Sequence, residues 1–188
     1  TLYLCSIVYL QNTKKMKKYI IIFISILTVG CTSTGVQVTF DDEKSNLIRS
    51  HFQNYLANDM DGLKSLWSSD LKVYPNSTEA VSLNELVGML EAQHNTFSPI
   101  TMTFGSESSE ANAFVETTSY PDTPISEAST WSQAWFTWNA TSKLTGEMIS
   151  LPAHISFKWG DDGKISEEYH FYDTTAMVAA IAASSEAE

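Results

Sequence analysis

Apolar residues recur at helical spacing in the first half of the chain and alternate at strand spacing in the second. Leu47, Ile48, Phe52, Tyr55 and Leu56 predict a first helix that ends at Asn58-Asp59. Asp61 then caps a short second helix, DGLKSLW, with Leu63, Leu66 and Trp67 facing inward. LKVYP (71–75) alternates as a short strand and stops at Pro75, and Asn76-Ser77-Thr78 is a loop. Ser82-Leu83-Asn84-Glu85 is a capping box. It opens a third helix with Leu83, Leu86, Val87, Leu90 and His94 along one face. From Pro99 onward the period falls to two. ITMTFG (100–105), AFVETTSY (113–120), TWSQAWFTWNAT (130–141) and AHISFKW (153–159) read as strands, with a turn-rich loop at 121–129. Asp162-Gly163 makes a hairpin turn into a last strand, ISEEYHFY. Asp173 caps an alanine-rich helix, TTAMVAAIAA, and the tail SSEAE reads as frayed. Helices first and an antiparallel meander afterwards predict an α+β domain whose curved sheet wraps the N-terminal helices.

The N-terminal stretch narrows this picture to one domain. Met16, Lys17 and Lys18 precede the apolar run YIIIFISILTVG and then Cys31. The run is too short to span a bilayer comfortably, which takes about 20 residues. It resembles a bacterial lipoprotein signal, although Thr28 stands where leucine is usual. We read 1–15 as an over-extended start, 16–30 as the signal peptide, Cys31 as the lipidated residue, 31–41 as a tether and 42–184 as the domain. The resemblance implies export and a lipid anchor in the cell envelope, with the anchor as the only membrane contact.

The chain has 11 basic and 22 acidic residues. Loss of residues 1–30 removes four lysines and no acid, leaving a net charge of −15. Such a surface argues against nucleic acid, whose phosphates are held by Lys and Arg. Cys5 and Cys31 are the only cysteines, so the domain has no disulfide, thiolate ligand or cysteine nucleophile. No two histidines share metal-ligand spacing, and no metal is expected. There is no glycine-rich phosphate loop and no Gly-x-Ser-x-Gly elbow.

Candidate chemistry sits in the last strand. Alternation puts Ile165, Glu167, Tyr169 and Phe171 on one face, and Ser166, Glu168, His170 and Tyr172 on the other. Either the polar groups are a solvated or salt-bridged strand end, or they line a cavity. In a cavity, burial would raise Glu168 and lower His170 unless they pair. A pair two positions apart could hold one proton between them, which suits acid–base work near neutrality. In the aromatic strand, Trp131 and Trp135 share one face, Phe136 and Trp138 the other. One face can wall an apolar pocket, joined by Met102 and Phe104, and the outer face can form a homodimer contact. Tyr55 is read as core packing with its hydroxyl at the rim, or as a donor to a carbonyl. His51 reads as surface, beside the first helix's stripe, and the pattern does not place His154. Caps account for Asp61 and Asp173 without chemistry.

Three stretches together resemble the nuclear transport factor 2-like superfamily, in its SnoaL-like branch of polyketide cyclases and ketosteroid isomerase-like proteins. They are YLANDMDGLKSLWSSDLKVYP, WNATSKLTGEMISLPAH and DGKISEEYHFYD, and they span most of residues 42–182. The resemblance implies a cone-shaped curved sheet with a deep pocket between its concave face and the helices. It implies cofactor-free chemistry, in which a carboxylate or histidine in an apolar pocket moves a proton. Many relatives carry His and Asp at the positions of Glu168 and His170, so these two are the candidate catalytic residues, with the identities roughly swapped. Tyr55, Tyr74, His94, Phe104, Trp135, Trp138 and Tyr172 are the candidate pocket residues. The ligand expected is a small hydrophobic molecule. A non-catalytic ligand-binding or protein-interaction module of the envelope is the alternative.

Overall fold

The computed structural model describes residues 35–102 and 114–186. The expectations for the signal, for Cys31 and for Phe104 lie outside the described residues. The elements run β1 (Gln37–Thr39), α1 (Glu43–Leu56), α2 (Met60–Leu66), β2 (Trp67–Pro75), β3 (Val81–Ser82), α3 (Leu83–Thr96), β4 (Phe97–Met102), β5 (Phe114–Tyr120), β6 (Ser129–Ser142), β7 (Met148–Trp159), β8 (Ile165–Phe171) and α4 (Thr175–Glu186). This is the expected α+β arrangement, a curved sheet with helices on its inner side.

Strand order is β1-β5-β6-β7-β8-β2-β3, with β4 also on β6. One edge of β6 pairs with β7. Its other edge is shared, Ser129–Trp135 by β5 and Trp138–Ser142 by β4. The sheet is not wholly antiparallel, because β2 runs parallel to β8. Burial then follows the pleat. Ala134, Phe136, Trp138 and Ala140 of β6 face inward with Leu151, Ala153, Ile155, Phe157 and Trp159 of β7. They close on Ile48, Phe52, Leu63 and Leu86 from the helices. Each large side chain so buried contributes about 1.5–3 kcal/mol relative to exposure.

Several local expectations are corrected. The buried stripe of α1 is Ser45, Ile48, His51, Phe52 and Tyr55, and Leu47 is exposed. His51 therefore faces the interior. The cap of α2 is Asp59, whose Oδ1 accepts from the Gly62 amide, so Asp61 sits inside the first turn. Trp67 opens β2 rather than closing α2. The tether supplies β1, and Val81–Ser82 forms β3, neither of which shows a strand pattern of its own. Gly163, at φ 76°, makes the predicted turn into β8. A bulge then follows: Lys158 pairs with Glu167 but Trp159 pairs with Ile165, leaving Ser166 as the extra residue. The bulge resets the pleat and puts Ile165 in the core instead of on the outer face. Helix α4 continues through Ser184–Glu186, so that part of the tail is helical.

The N-terminal end of α1 is fastened by a buried row of hydroxyls. Trp159 Nε1 donates to Ser132 Oγ at 2.8 Å. Ser132 Oγ lies 2.8 Å from Thr117 Oγ1, which lies 2.9 Å from Ser45 Oγ. Ser45 Oγ donates to Asp42 Oδ2 at 2.6 Å. The indole can only donate and the carboxylate only accept, so every hydroxyl between them donates in the same direction. Partial burial works to raise the Asp42 carboxyl, but hydrogen bonds from Ser45, Thr39 and the first-turn amides outweigh it and bring the group down to about 2.

Candidate functional site

Between the sheet and the helices lies a cavity lined on one side by α1 and α3 and on the other by β6, β7 and β8. It offers about 70 Å³ to the centres of water-sized molecules. An ordered water needs roughly 10–15 Å³ on that measure, so several waters or a small organic group fit. Most of the wall is apolar: Phe52, Leu86, Leu90, Met102, Phe136, Leu151 and Met177 among others. The polar groups gather at two places.

The first is on β8. Glu168 and His170 face the cavity and are 3% and 6% exposed, whereas Glu167 faces outward. There Glu167 pairs with Lys158 at 2.8 Å and accepts from Tyr169 Oη at 2.6 Å. One strand thus holds a solvated pair on one face and a buried pair on the other. Trp67 Nε1 donates to Glu168 Oε1 at 2.5 Å, and His170 Nε2 lies 2.8 Å from Glu168 Oε2. Burial acts to raise the Glu168 carboxyl. The hydrogen bond and charge of His170, then His51, then the Trp67 indole outweigh it and hold the group below the usual glutamate range. A carboxylate accepts, so Nε2 of His170 carries a proton toward it. Nδ1 is left without a hydrogen-bond partner among the described residues and is not sealed by protein atoms. In the neutral imidazole that nitrogen is an acceptor, so the arrangement has the geometry of a base oriented by a carboxylate. Tyr172 lines the same end, its ring 6.1 Å from that of His170. Burial, and after it the charge of Glu168, push its hydroxyl up to about 12, so it stays a donor.

His51 completes this end. It is 5% exposed, edge-on to Trp67 at 4.9 Å, and its Nδ1 is sealed with no partner among the described residues. Burial lowers it to about 4, against an upward pull from Glu168 and with a smaller downward push from His170. It is neutral at physiological pH. The signal for its placement was its spacing, since 45, 48, 52 and 55 with 51 make one helical stripe.

The second polar place joins α1, α3 and β6. Trp138 Nε1 donates to Tyr55 Oη at 3.0 Å, and Tyr55 Oη donates to Gln93 Oε1 at 2.6 Å. Burial raises the Tyr55 hydroxyl well above the ordinary phenol range. Tyr55 lines the cavity and is buried, but its one proton is engaged by Gln93, so of its two readings the geometry favours packing over donation to a ligand carbonyl, and the hydroxyl positions Gln93. Gln93 was not anticipated, although it continues the Leu86–Leu90 line of α3.

Of the other candidates, Trp138 lines the cavity and Trp135 does not. The pleat of β6 points Trp135 outward, where it stacks on Phe114 at 4.5 Å and lies 4.4 Å from His154. Tyr74 is also on the outer face, stacked on Tyr169 at 4.6 Å, because Val73 takes the inward position of β2. His94 stands off the cavity wall, behind Tyr55 at 4.9 Å, with burial lowering its pKa. The described residues include no cluster of three or more His, Cys, Asp or Glu side chains that could hold a metal. No helix among them is long and apolar enough to cross a membrane.

No family model matches this sequence, and no curated protein matches it. Solved structures do. AclR, a proposed hydroxylase from Streptomyces galilaeus, superposes with a TM-score of 0.54 at 16% identity, covering 74% of this chain and 96% of that one. IdmH, a proposed polyketide cyclase from Streptomyces antibioticus, gives 0.53 at 13%, covering 75% and 99%. An NTF2-like protein of unknown function from Burkholderia pseudomallei gives 0.52 at 11%, covering 74% and 98%. At these identities the likeness is one of fold, and the fold is nuclear transport factor 2-like.

Proposed function

We propose that the domain binds a small hydrophobic molecule in the cavity and moves a proton on it without a cofactor, in an isomerase, cyclase, dehydratase or hydrolase type of reaction. The observation that carries this reading is the buried Trp67–Glu168–His170 array, with an unpartnered imidazole nitrogen in an apolar cavity. His170 is the base, Glu168 orients it, and Tyr172 supplies a neutral donor beside it. The proposed cyclase and hydroxylase chemistry of IdmH and AclR is compatible with this, as small-molecule chemistry on the same fold.

The test is deuterium uptake at the α-carbons of cyclopentanone in D₂O. A positioned base contributes about 10²–10⁴-fold, so the protein is expected to exchange the ketone at least about a hundredfold faster than its His170→Gln variant. Equal rates refute proton transfer. Binding without exchange supports the second reading, a non-catalytic ligand-binding or interaction module, which the Trp138–Tyr55–Gln93 row would serve equally well.

Two further parts of the proposal rest on other features. The Met16–Cys31 signal pattern supports a lipid-anchored protein of the cell envelope. The outer-face aromatic row Phe114–Trp135–His154–Phe171, half-buried except for the exposed Phe171, supports a homodimer through that face.

A further inference from the structure

The Trp138–Tyr55–Gln93 row has a fixed direction. An indole N–H can only donate, so Tyr55 Oη is the acceptor of that contact and must send its own proton onward. Gln93 therefore presents Oε1 to Tyr55, and its amide nitrogen is turned away. The Gln93 side chain is 7% exposed and lines the cavity, yet Nε2 makes no hydrogen bond among the described residues. Unlike the stranded nitrogens of His51, His94 and His154, it is not sealed by protein atoms. Two N–H donors that no protein group satisfies must be met from the cavity itself, by water or by an oxygen of whatever occupies it.

We infer that Gln93 is where the cavity takes an oxygen acceptor of its ligand: a carbonyl, ester, lactone or ether oxygen. The apolar remainder of the ligand lies against Leu86, Leu90 and Met102. This rests on the reading of the cavity as a small-molecule site, and it makes that site bipolar. At one end a row anchored by Trp67 ends in an acceptor, His170 Nδ1. At the other a row anchored by Trp138 ends in a donor, Gln93 Nε2. The ligand selected carries a proton to give and, at a separate point, an oxygen to receive. A pure hydrocarbon satisfies neither, and a group that only donates is refused by Gln93.

The experiment uses the ¹⁵N-labelled full chain with two matched probes, cyclopentanone and methylcyclopentane, followed by amide and side-chain shifts. Both probes are expected to perturb cavity residues, and only the ketone to move the Gln93 side-chain N–H pair downfield. In Gln93→Glu the Tyr55 bond keeps its acceptor while the donors vanish. The ratio of ketone to hydrocarbon affinity is expected to fall by about three- to tenfold, the worth of one net hydrogen bond. If methylcyclopentane binds but the ketone leaves the Gln93 resonances unmoved, or the ratio survives in Gln93→Glu, the role of Gln93 is overturned and the cavity reading stands. If neither probe binds, the cavity reading is overturned and this inference with it. Should Gln93→Glu fail to fold, the wild-type Gln93 resonances decide alone.

Discussion

Acidification from about pH 7.5 to about pH 5.5 loads a proton onto unfolded His51 but not onto folded His51. The ordinary histidine value is 6.5, and burial beneath Trp67 lowers it to about 4 in the folded domain. Across that window the unfolded chain binds more protons, so stability falls as pH falls. The loss is negligible above pH 6.5, about 1.4 kcal/mol near pH 5.5, and about 3 kcal/mol once pH passes below 4. Near pH 5.5 ordinary carboxylates are still mostly ionised, which keeps their protonation out of the comparison. Glu168, the nearest opposite charge, lies below the usual glutamate range and also stays ionised there. His94 and His154 are lowered as well and contribute in the same direction, so the wild type alone does not isolate His51. His51→Leu does, because it fills similar apolar space and cannot titrate. Urea unfolding at the two pH values is the assay. The wild type is expected to lose about 1.4 kcal/mol more than His51→Leu between them. Equal losses in the two proteins would refute the placement of a neutral, sealed His51 at this end of the cavity.

Glu168→Ala, which strands both the Trp67 and the His170 N–H, is expected to cost about 3–5 kcal/mol in urea unfolding. Trp67→Phe, which strands one carboxylate oxygen, is expected to cost only about 1–3 kcal/mol; a reversed order would mean that the carboxylate is not the hub of the array. Phe171→Glu, on an outer face where Phe171 is 54% exposed, is expected to convert a dimer to a monomer in sedimentation. A wild type that is already monomeric at micromolar concentration sinks the homodimer. Expressed in a bacterial host with labelled palmitate, the full chain is expected to incorporate label and Cys31→Ser to lose it; unlabelled wild type removes the lipid anchor.

What could be read from the sequence was whatever repeats with a local period. The pleat of β8 separated Glu168 and His170 from Glu167 and Tyr169, and the pleat of β6 separated Trp131 and Trp135 from Phe136 and Trp138. Alternation does not say which face is inner, because both faces of β6 are aromatic. Its phase also fails at a bulge, which is why Ile165 changes sides at Ser166. In α1 the apolar pattern carries Ile48, Phe52 and Tyr55 correctly but takes in Leu47 and leaves out Ser45 and His51, because Leu47 is the more apolar, whereas covering the hydroxyls and the cavity calls for Ser45 and His51. Gln93 escaped because a polar residue on a helix normally faces water. Only the arrival of Tyr55, 38 positions earlier, gives it a partner. The parallel pairing of β2 with β8 joins residues roughly a hundred positions apart and leaves no local trace.

The row of hydroxyls from Trp159 to Asp42 has a mechanical meaning. Any tension carried by the chain preceding residue 35 enters the domain at β1, which three residue pairs hold to β5. Such an edge strand resists shear poorly by itself. The hydroxyl row is a second fastening just behind it, tying the cap of α1 to β5, β6 and β7. Pulling would peel β1 first and stop at Asp42. The strand that carries Glu168 and His170 lies beyond β5, β6 and β7 in the sheet, so a pull entering at β1 reaches that strand last.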